Sequence, residues 1–110
     1  MSGPGRDDEL DGLMANYARR RVAGDSEAIA DALTRIGSAL IRRGRLGEAA
    51  RALHSAHTHR LDAPEAAYLL GMVERNRGRP VEAAPFFERA AALRPNWSKP
   101  HLELGRGRYA

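Results

Sequence analysis

Three histidines near the middle of the chain, His54, His57 and His59, have the spacing that comes closest to a metal site. On a helix, His54 and His57 lie one turn apart and could share a metal ion. His59 then points roughly 140° away from His54, and His101 is isolated, so no clear third ligand is available. Histidines in the last turn of a helix also interact favourably with the helix dipole without any metal. We therefore predict no metal site.

The sequence offers no set of residues suited to catalysis. The absence of cysteine excludes disulfides, thiolate zinc sites and cysteine nucleophiles. No glycine-rich phosphate loop connects a strand to a helix. Capping and solvation explain the carboxylates at expected helix starts and on polar faces, which are Asp7, Asp8, Glu27, Glu48, Glu65 and Glu82. We predict that the protein is not an enzyme, with no catalytic residues and no cofactor.

Arginine supplies almost all of the positive charge, and the 110-residue chain has a formal net charge of +4. A basic balance is compatible with a nucleic-acid partner. Because no basic run is interleaved with stacking aromatic residues, we favour arginines spread over solvated helix faces. The densest cluster, Arg19–Arg21, lies near a predicted helix end, where cations are favoured. Nucleic-acid binding stays open as an alternative.

The composition indicates a soluble helical domain, with 43% apolar and only 5% aromatic residues. No signal peptide is recognisable, and no apolar run approaches the ~20 residues that a membrane span needs. We expect a cytoplasmic protein without membrane contact. Residues 1–6 are expected to form a disordered tail.

Apolar residues recur at three- and four-residue steps, which predicts about six helices and no strands. The expected helices span roughly residues 7–22, 26–43, 46–58, 64–77, 80–94 and 98–108, and their inward stripes include Met14, Val22 and Val81. Gly24, Gly44 and Gly78 are expected to end helices. For the helix that starts at Pro64, the sequence predicts Asp62 as the cap and Glu65 as part of a capping box.

An internal repeat organises these helices, because an offset of 34 residues aligns residues 30–63 with 64–97. The offset places Gly37 on Gly71 and Gly44 on Gly78. Residues 26–63 and 64–97 form two full units. Residues 7–24 stand in for the second helix of a preceding unit, and residues 98–110 form a half-repeat or a capping helix. Such a cap would present a polar outer face of Lys99, Glu103, Arg106 and Arg108. The incomplete third unit also suggests a module of a longer chain.

A 34-residue helix–turn–helix unit resembles the tetratricopeptide repeat. In the second unit the family positions hold Ala67, Leu70, Gly71, Ala83, Phe87 and Pro95, and in the first unit Leu33, Ile36, Gly37, Leu40, Ala49 and Leu53 match in kind. Glu74 stands where an aromatic residue is expected, and Leu61 replaces the proline. The resemblance implies an all-α fold of antiparallel helix hairpins, an α-solenoid. A mid-helix glycine costs about 1 kcal/mol relative to alanine, so we expect Gly37 and Gly71 to be offset by close contact with Ala49 and Ala83.

In this family the first helices of successive units line a concave groove, so the resemblance implies a non-catalytic scaffold for protein–protein interaction. The residues expected to face the groove are Thr34, Arg35, Ser38, Ile41, Arg42, Tyr68, Met72, Arg75, Asn76 and Arg106. This set predicts a protein or peptide partner with acidic residues and an apolar anchor. Tyr68 and Met72 could instead only pack between helices. The Lys and Asn clamp of chaperone-binding members is absent, because Thr34 and Ser38, then Tyr68 and Met72, occupy those places.

Self-association through an exposed end of the repeat array is a further alternative, as in an accessory module of a larger enzyme. Each unit of such an array contacts only its neighbours, so the two ends are left uncovered.

Overall fold

The computed structural model describes residues 7–109, and the side chains of residues 7–104. Over these residues the chain forms six helices: α1 (Asp8–Ala23), α2 (Ser26–Arg42), α3 (Leu46–His59), α4 (Pro64–Asn76), α5 (Pro80–Leu93) and α6 (Ser98–Tyr109). The predicted all-α fold class is confirmed. The tail expected at residues 1–6 lies outside the described residues.

Glycine ends three of the helices, as the sequence predicts. Gly24, Gly44 and Gly78 have φ angles of 79°, 72° and 79°, a left-handed conformation that residues with a Cβ avoid. At the opposite ends, the Asp7 and Asp25 side chains accept hydrogen bonds from backbone N–H groups in the first turns of α1 and α2. Local residue chemistry therefore sets these helix boundaries.

The start of α4 differs from the prediction. Its N-cap is Ala63, which makes no side-chain capping hydrogen bond, while Pro64 takes the first helical position as expected. The Asp62 carboxylate instead accepts a hydrogen bond from Arg60 Nε at 3.0 Å, and Glu65 faces Arg94. The expected cap and capping box are wrong because the N-cap position falls on Ala63, which has no side-chain acceptor, and Glu65 falls at N2 instead of the N3 position that a capping box needs.

The helices stack in chain order as antiparallel neighbours. The pairs α2/α3 and α4/α5 form the most extensive contacts, α1 packs on α2, α3 on α4 and α5 on α6, and α2 also lies beside α4. The inner core is a cluster that joins α1 to α4, with Leu46, Leu69 and Phe86 packed against it: Leu10, Ile36, Ala39, Leu40, Ala49, Ala50, Leu53, Leu70 and Val73. Each helix hairpin therefore completes its core with its neighbours.

The two mid-helix glycines admit large side chains of the following helix. A Cβ at Gly37 would lie 2.5 Å from Leu53 Cγ, and a Cβ at Gly71 would lie 2.7 Å from Phe87 Cδ1. The expected close approach of the paired helix is present. The prediction that Ala49 and Ala83 make this contact is wrong, because Leu53 and Phe87 fill the space above the glycines.

Three residues predicted to face inward are exposed. Met14, Val22 and Val81 expose 53%, 91% and 80% of their surfaces. Since α1 packs mainly against α2, only one narrow stripe of α1 is covered. Val81 lies in the first turn of α5, beside a groove between α5 and α6. None of the described helices combines the length and the apolar character needed to cross a membrane.

Candidate protein-binding site

The residues expected to line the groove lie on two adjacent helices. We define the α2/α4 face by Thr34, Arg35, Ser38 and Arg42 of α2 and by Tyr68, Met72, Arg75 and Asn76 of α4. Because α2 and α4 lie side by side, the structure brings these eight residues onto neighbouring elements. Ile41 is half-buried and packs against the inner core cluster. The side chain of Arg106 lies outside the described part.

Tyr68 lies at the centre of an aromatic group. Its ring centroid is 4.9 Å from that of Trp97 and 5.8 Å from that of Phe87, both in tilted geometry. The Arg94 guanidinium stacks over Trp97 at 4.9 Å from the ring centroid, in a cation–π contact. Tyr68 therefore packs between helices and is also partly exposed on the α2/α4 face.

Met72 and Arg75 form the next turn of α4. Arg75 Nη2 lies 3.3 Å from Met72 Sδ, and Arg75 Nη1 forms an ion pair with Glu103 of α6. Glu103 is only 8% exposed. Placing Glu103 on a polar outer face is therefore wrong, because its carboxylate turns inward to meet Arg75 and links α6 to α4.

The polar side chains on the α2 half of the face are already partnered. Thr34 Oγ1 donates to the Ala30 carbonyl, and Arg35 pairs with Asp31 at 3.2 Å. Arg42 binds both Ser38 and the Glu9 carboxylate of α1. Arg35 and Arg42 nevertheless expose more than half of their side chains, so both guanidiniums remain accessible from solvent.

A cavity of about 220 Å³ lies where α2 and α4 begin. Thr34 lines one wall. The charged residues around the cavity are two carboxylates and two arginines: Asp31, Glu65, Arg60 and Arg94. Arg60 pairs with Glu27 and Asp62, and Arg94 with Glu65. The cavity is thus balanced in charge and has room for a small side chain.

The two Arg-Gly-Arg turns hold carboxylates in different ways. After α2, Arg43 binds Asp7 and Glu9 of α1, and Arg45 binds Glu48. The Arg43 hydrogen bond lowers the pKa of Asp7 from 3.8 to about 2, and Arg43 and Arg42 likewise lower the pKa of Glu9. These contacts fasten α1 to the end of α2.

After α4, both turn arginines face a carboxylate of their own hairpin. Arg77 and Arg79 lie 3.0 Å and 3.6 Å from the Glu74 oxygens. Glu74 is 4% exposed, at the position where the family pattern has an aromatic residue. The two arginines compensate for its burial.

The histidines pack against an aromatic ring. His54 and His57 lie edge-on to Phe86, with ring centroids 5.6 Å and 6.0 Å apart. Burial lowers the pKa of His57, with Arg89 and His54 contributing, so the neutral ring is favoured. Among the described residues, no three His, Asp or Glu side chains form a group that could hold a metal ion.

Sequence reasoning missed two residues of the site, Trp97 and Glu103. Both lie about 30 residues from their partners on α4, so no local periodicity marks them. The one available signal for Trp97 is that it is the only tryptophan, placed immediately before α6.

A family comparison supports the repeat interpretation. A family model described as tetratricopeptide repeat matches residues 34–96, which is more than half of the chain. A search of curated proteins gave no match. Tetratricopeptide repeats generally mediate protein–protein interactions, and the family is typically a non-catalytic scaffold. With its helix hairpins at a 34-residue spacing, its two glycine contacts and this match, the chain belongs to the tetratricopeptide repeat family.

Proposed function

We propose that the α2/α4 face binds an extended segment of a partner protein, with an apolar side chain of that segment against Tyr68 and Met72. The observation that carries the proposal is the half-burial of these two residues on a face whose polar neighbours are internally paired. An apolar side chain gains burial there without breaking an ion pair, at about 25 cal/mol per Å² of apolar surface covered.

Acidic residues of the partner have a smaller role in this proposal. They would compete with Asp31 for Arg35 and with Glu9 for Arg42. Exchanging one exposed ion pair for another contributes little affinity. The arginines therefore orient the segment, while Tyr68 and Met72 supply most of the binding free energy.

Selection from a phage-displayed library of random linear peptides tests this proposal. We expect selected peptides to share an apolar residue flanked by acidic residues. Met72→Glu should weaken their binding by at least about tenfold, because it places a charge at the anchor position. Met14→Glu is the matched control, since Met14 is 53% exposed on α1.

Isothermal titration and backbone amide shifts supply the readout. The proposal is overturned if no peptide is selected, if Met72→Glu and Met14→Glu bind equally well, or if the shifted amides lie on α3 and α5.

A further inference from the structure

A groove of about 430 Å³ lies at the junction of α5 and α6, and among its lining residues it shares Arg75 with the α2/α4 face. Helix α5 contributes an apolar wall and α6 contributes Glu103 and Leu104. The residues around the groove are Arg75, Pro80, Val81, Ala83, Ala84, Phe87, Glu88, Glu103 and Leu104.

The groove is a second copy of an interior junction. A shift by the 34-residue repeat places seven of these nine residues on residues of the inner core or packed against it: Arg75 on Ile41, Pro80 on Leu46, Ala83 on Ala49, Ala84 on Ala50, Phe87 on Leu53, Glu103 on Leu69 and Leu104 on Leu70. The chain thus builds the same surface twice, once between α3 and α4 and once between α5 and α6.

The inner copy is closed by one aromatic side chain. Phe86 of α5 packs against the inner core cluster and lies edge-on to His54 and His57. Within that cluster Ala50 and Leu70 are 3% and 0% exposed. Their counterparts in the outer copy, Ala84 and Leu104, remain half-exposed.

We propose that the α5/α6 groove docks an amphipathic helix of a partner protein, with one aromatic side chain held as Phe86 is held at the α3/α4 junction. Inside the groove, Arg75 and Glu103 already neutralise each other, so an uncharged ring enters at the lowest desolvation cost. Val81, 80% exposed at the rim, adds an aliphatic contact.

The charge at the rim defines the partner helix further. Glu88 occupies the position that His54 holds in the inner copy, and it is exposed. A lysine or arginine one turn from the aromatic anchor would reach it. The partner helix therefore carries an aromatic residue, an aliphatic residue and a cation on one face.

A second copy of this chain fits the groove less well. Among the side chains that the structure describes, every Phe, Tyr and Trp ring is at least partly buried. The exposed apolar residues of α1, Met14 and Val22, are aliphatic. Another copy thus has no fully exposed Phe, Tyr or Trp ring among its described residues that could serve as the anchor.

The chain supplies its own probe, because α5 contains the ring that fills the inner copy. A synthetic peptide of residues 80–93, held helical by a lactam bridge, should bind the intact 110-residue protein in fluorescence anisotropy. The same peptide with Phe86→Ala should bind at least about tenfold more weakly, as expected for an aromatic anchor. Equal binding of the two peptides, or no binding of either, overturns the proposal.

Protein variants locate the binding. Val81→Glu and Ala84→Glu should each weaken the peptide by about tenfold or more, since each places a carboxylate in the apolar wall. Val81 is exposed, so its variant keeps the fold even where Ala84→Glu does not. Ala18→Glu on exposed α1 is the matched control. Binding that survives Val81→Glu overturns the proposal, and so does self-association in light scattering that Val81→Glu abolishes, because the occupant is then a second copy.

Discussion

The two full repeats share one hairpin design but use their Arg-Gly-Arg turns differently. In the first repeat, Arg43 reaches out of the hairpin to Asp7 and Glu9 of α1. In the second, Arg77 and Arg79 reach back to Glu74 inside the hairpin. The same turn sequence can therefore recruit a neighbouring helix or neutralise a buried carboxylate, depending on the residue one turn upstream.

That upstream residue is Leu40 in the first repeat and Glu74 in the second, 34 positions apart. Both are at most 5% exposed. With a leucine there, Arg43 has no carboxylate partner in its own helix and binds Asp7 and Glu9, while Arg45 binds Glu48 at the start of α3. We infer that the residue at this one buried position determines which carboxylates Arg43 and Arg77 bind.

The largest expected effect comes from giving the first repeat the buried glutamate that the second repeat has at position 74. Leu40→Glu removes a buried leucine and buries a carboxylate whose turn arginines are already engaged by Asp7, Glu9 and Glu48. We expect the free energy of unfolding to fall by at least about 3 kcal/mol. Urea denaturation followed by circular dichroism measures this.

The mirror substitution should be far milder. Glu74→Leu releases Arg77 and Arg79, whose side chains are 30% and 52% exposed and can return to water. Replacing a buried ion pair with an apolar side chain is often neutral, so we expect a change within about 1 kcal/mol. Equal losses for Leu40→Glu and Glu74→Leu would show that the two turns are equivalent after all.

The glycine contacts offer a second test of the comparison. Gly37→Ala forces a Cβ onto Leu53, which is 0% exposed in the closed inner core. Overpacking costs about 1–3 kcal/mol, and alanine returns about 1 kcal/mol in helix propensity. We expect a net loss of up to about 2 kcal/mol in thermal or urea unfolding.

Gly71→Ala should be closer to neutral. Its Cβ meets the Phe87 ring, but that ring borders the open α5/α6 groove and has space to shift. A loss larger than that of Gly37→Ala would contradict this difference between the repeats.

A smaller effect is expected at the helix that the first turn recruits. Arg43→Gln should speed amide hydrogen exchange in α1 by a few-fold, because a partly exposed ion pair contributes modestly. Arg77→Gln is the matched control and should leave exchange in α1 unchanged. If neither substitution changes exchange in α1, then Leu10 and its apolar neighbours alone hold α1 to the rest of the protein.

The smallest effect is a pH dependence of the same contact. Because the folded-state pKa of Asp7 is lowered from 3.8 to about 2, its charge stabilises the folded state above pH 3.8 and this contribution is lost as the pH falls towards 2. Asp7→Asn keeps a capping side chain but removes the charge. The difference between the two proteins in α1 exchange should shrink across that window, and a constant difference would exclude Asp7 as its source.

Helix order and helix ends were predictable from the sequence because both depend on local chemistry. Gly24, Gly44 and Gly78 end helices through their own backbone conformation. The 34-residue repeat can be recognised in the sequence without knowledge of any tertiary contact. The same holds for Pro64 in the first turn of α4. Helix ends and repeat length together indicate a helical repeat without reference to any tertiary contact.

The failed predictions depend on partners distant in sequence, on packing geometry or, at Asp62, on an arginine two residues away. Asp62 has the right chemistry for a cap, but the N-cap position falls on Ala63 and Arg60 binds the Asp62 carboxylate. Glu103 fits a polar stripe, but Arg75 is 28 positions away and draws it inward. Val81 fits an apolar stripe, but no described helix covers that end of α5. Periodicity indicates which side chains share a face and does not show what meets that face.

The placement of Trp97 gives the protein an intrinsic optical reporter. It is the only tryptophan, and its ring lies 4.9 Å from Tyr68 and 4.9 Å from the Arg94 guanidinium. Energy absorbed by Tyr68 should pass to the indole while the two rings stay together, and separation should restore tyrosine emission. Emission spectra during unfolding would therefore show whether α6 separates from the second repeat before the hairpins themselves open.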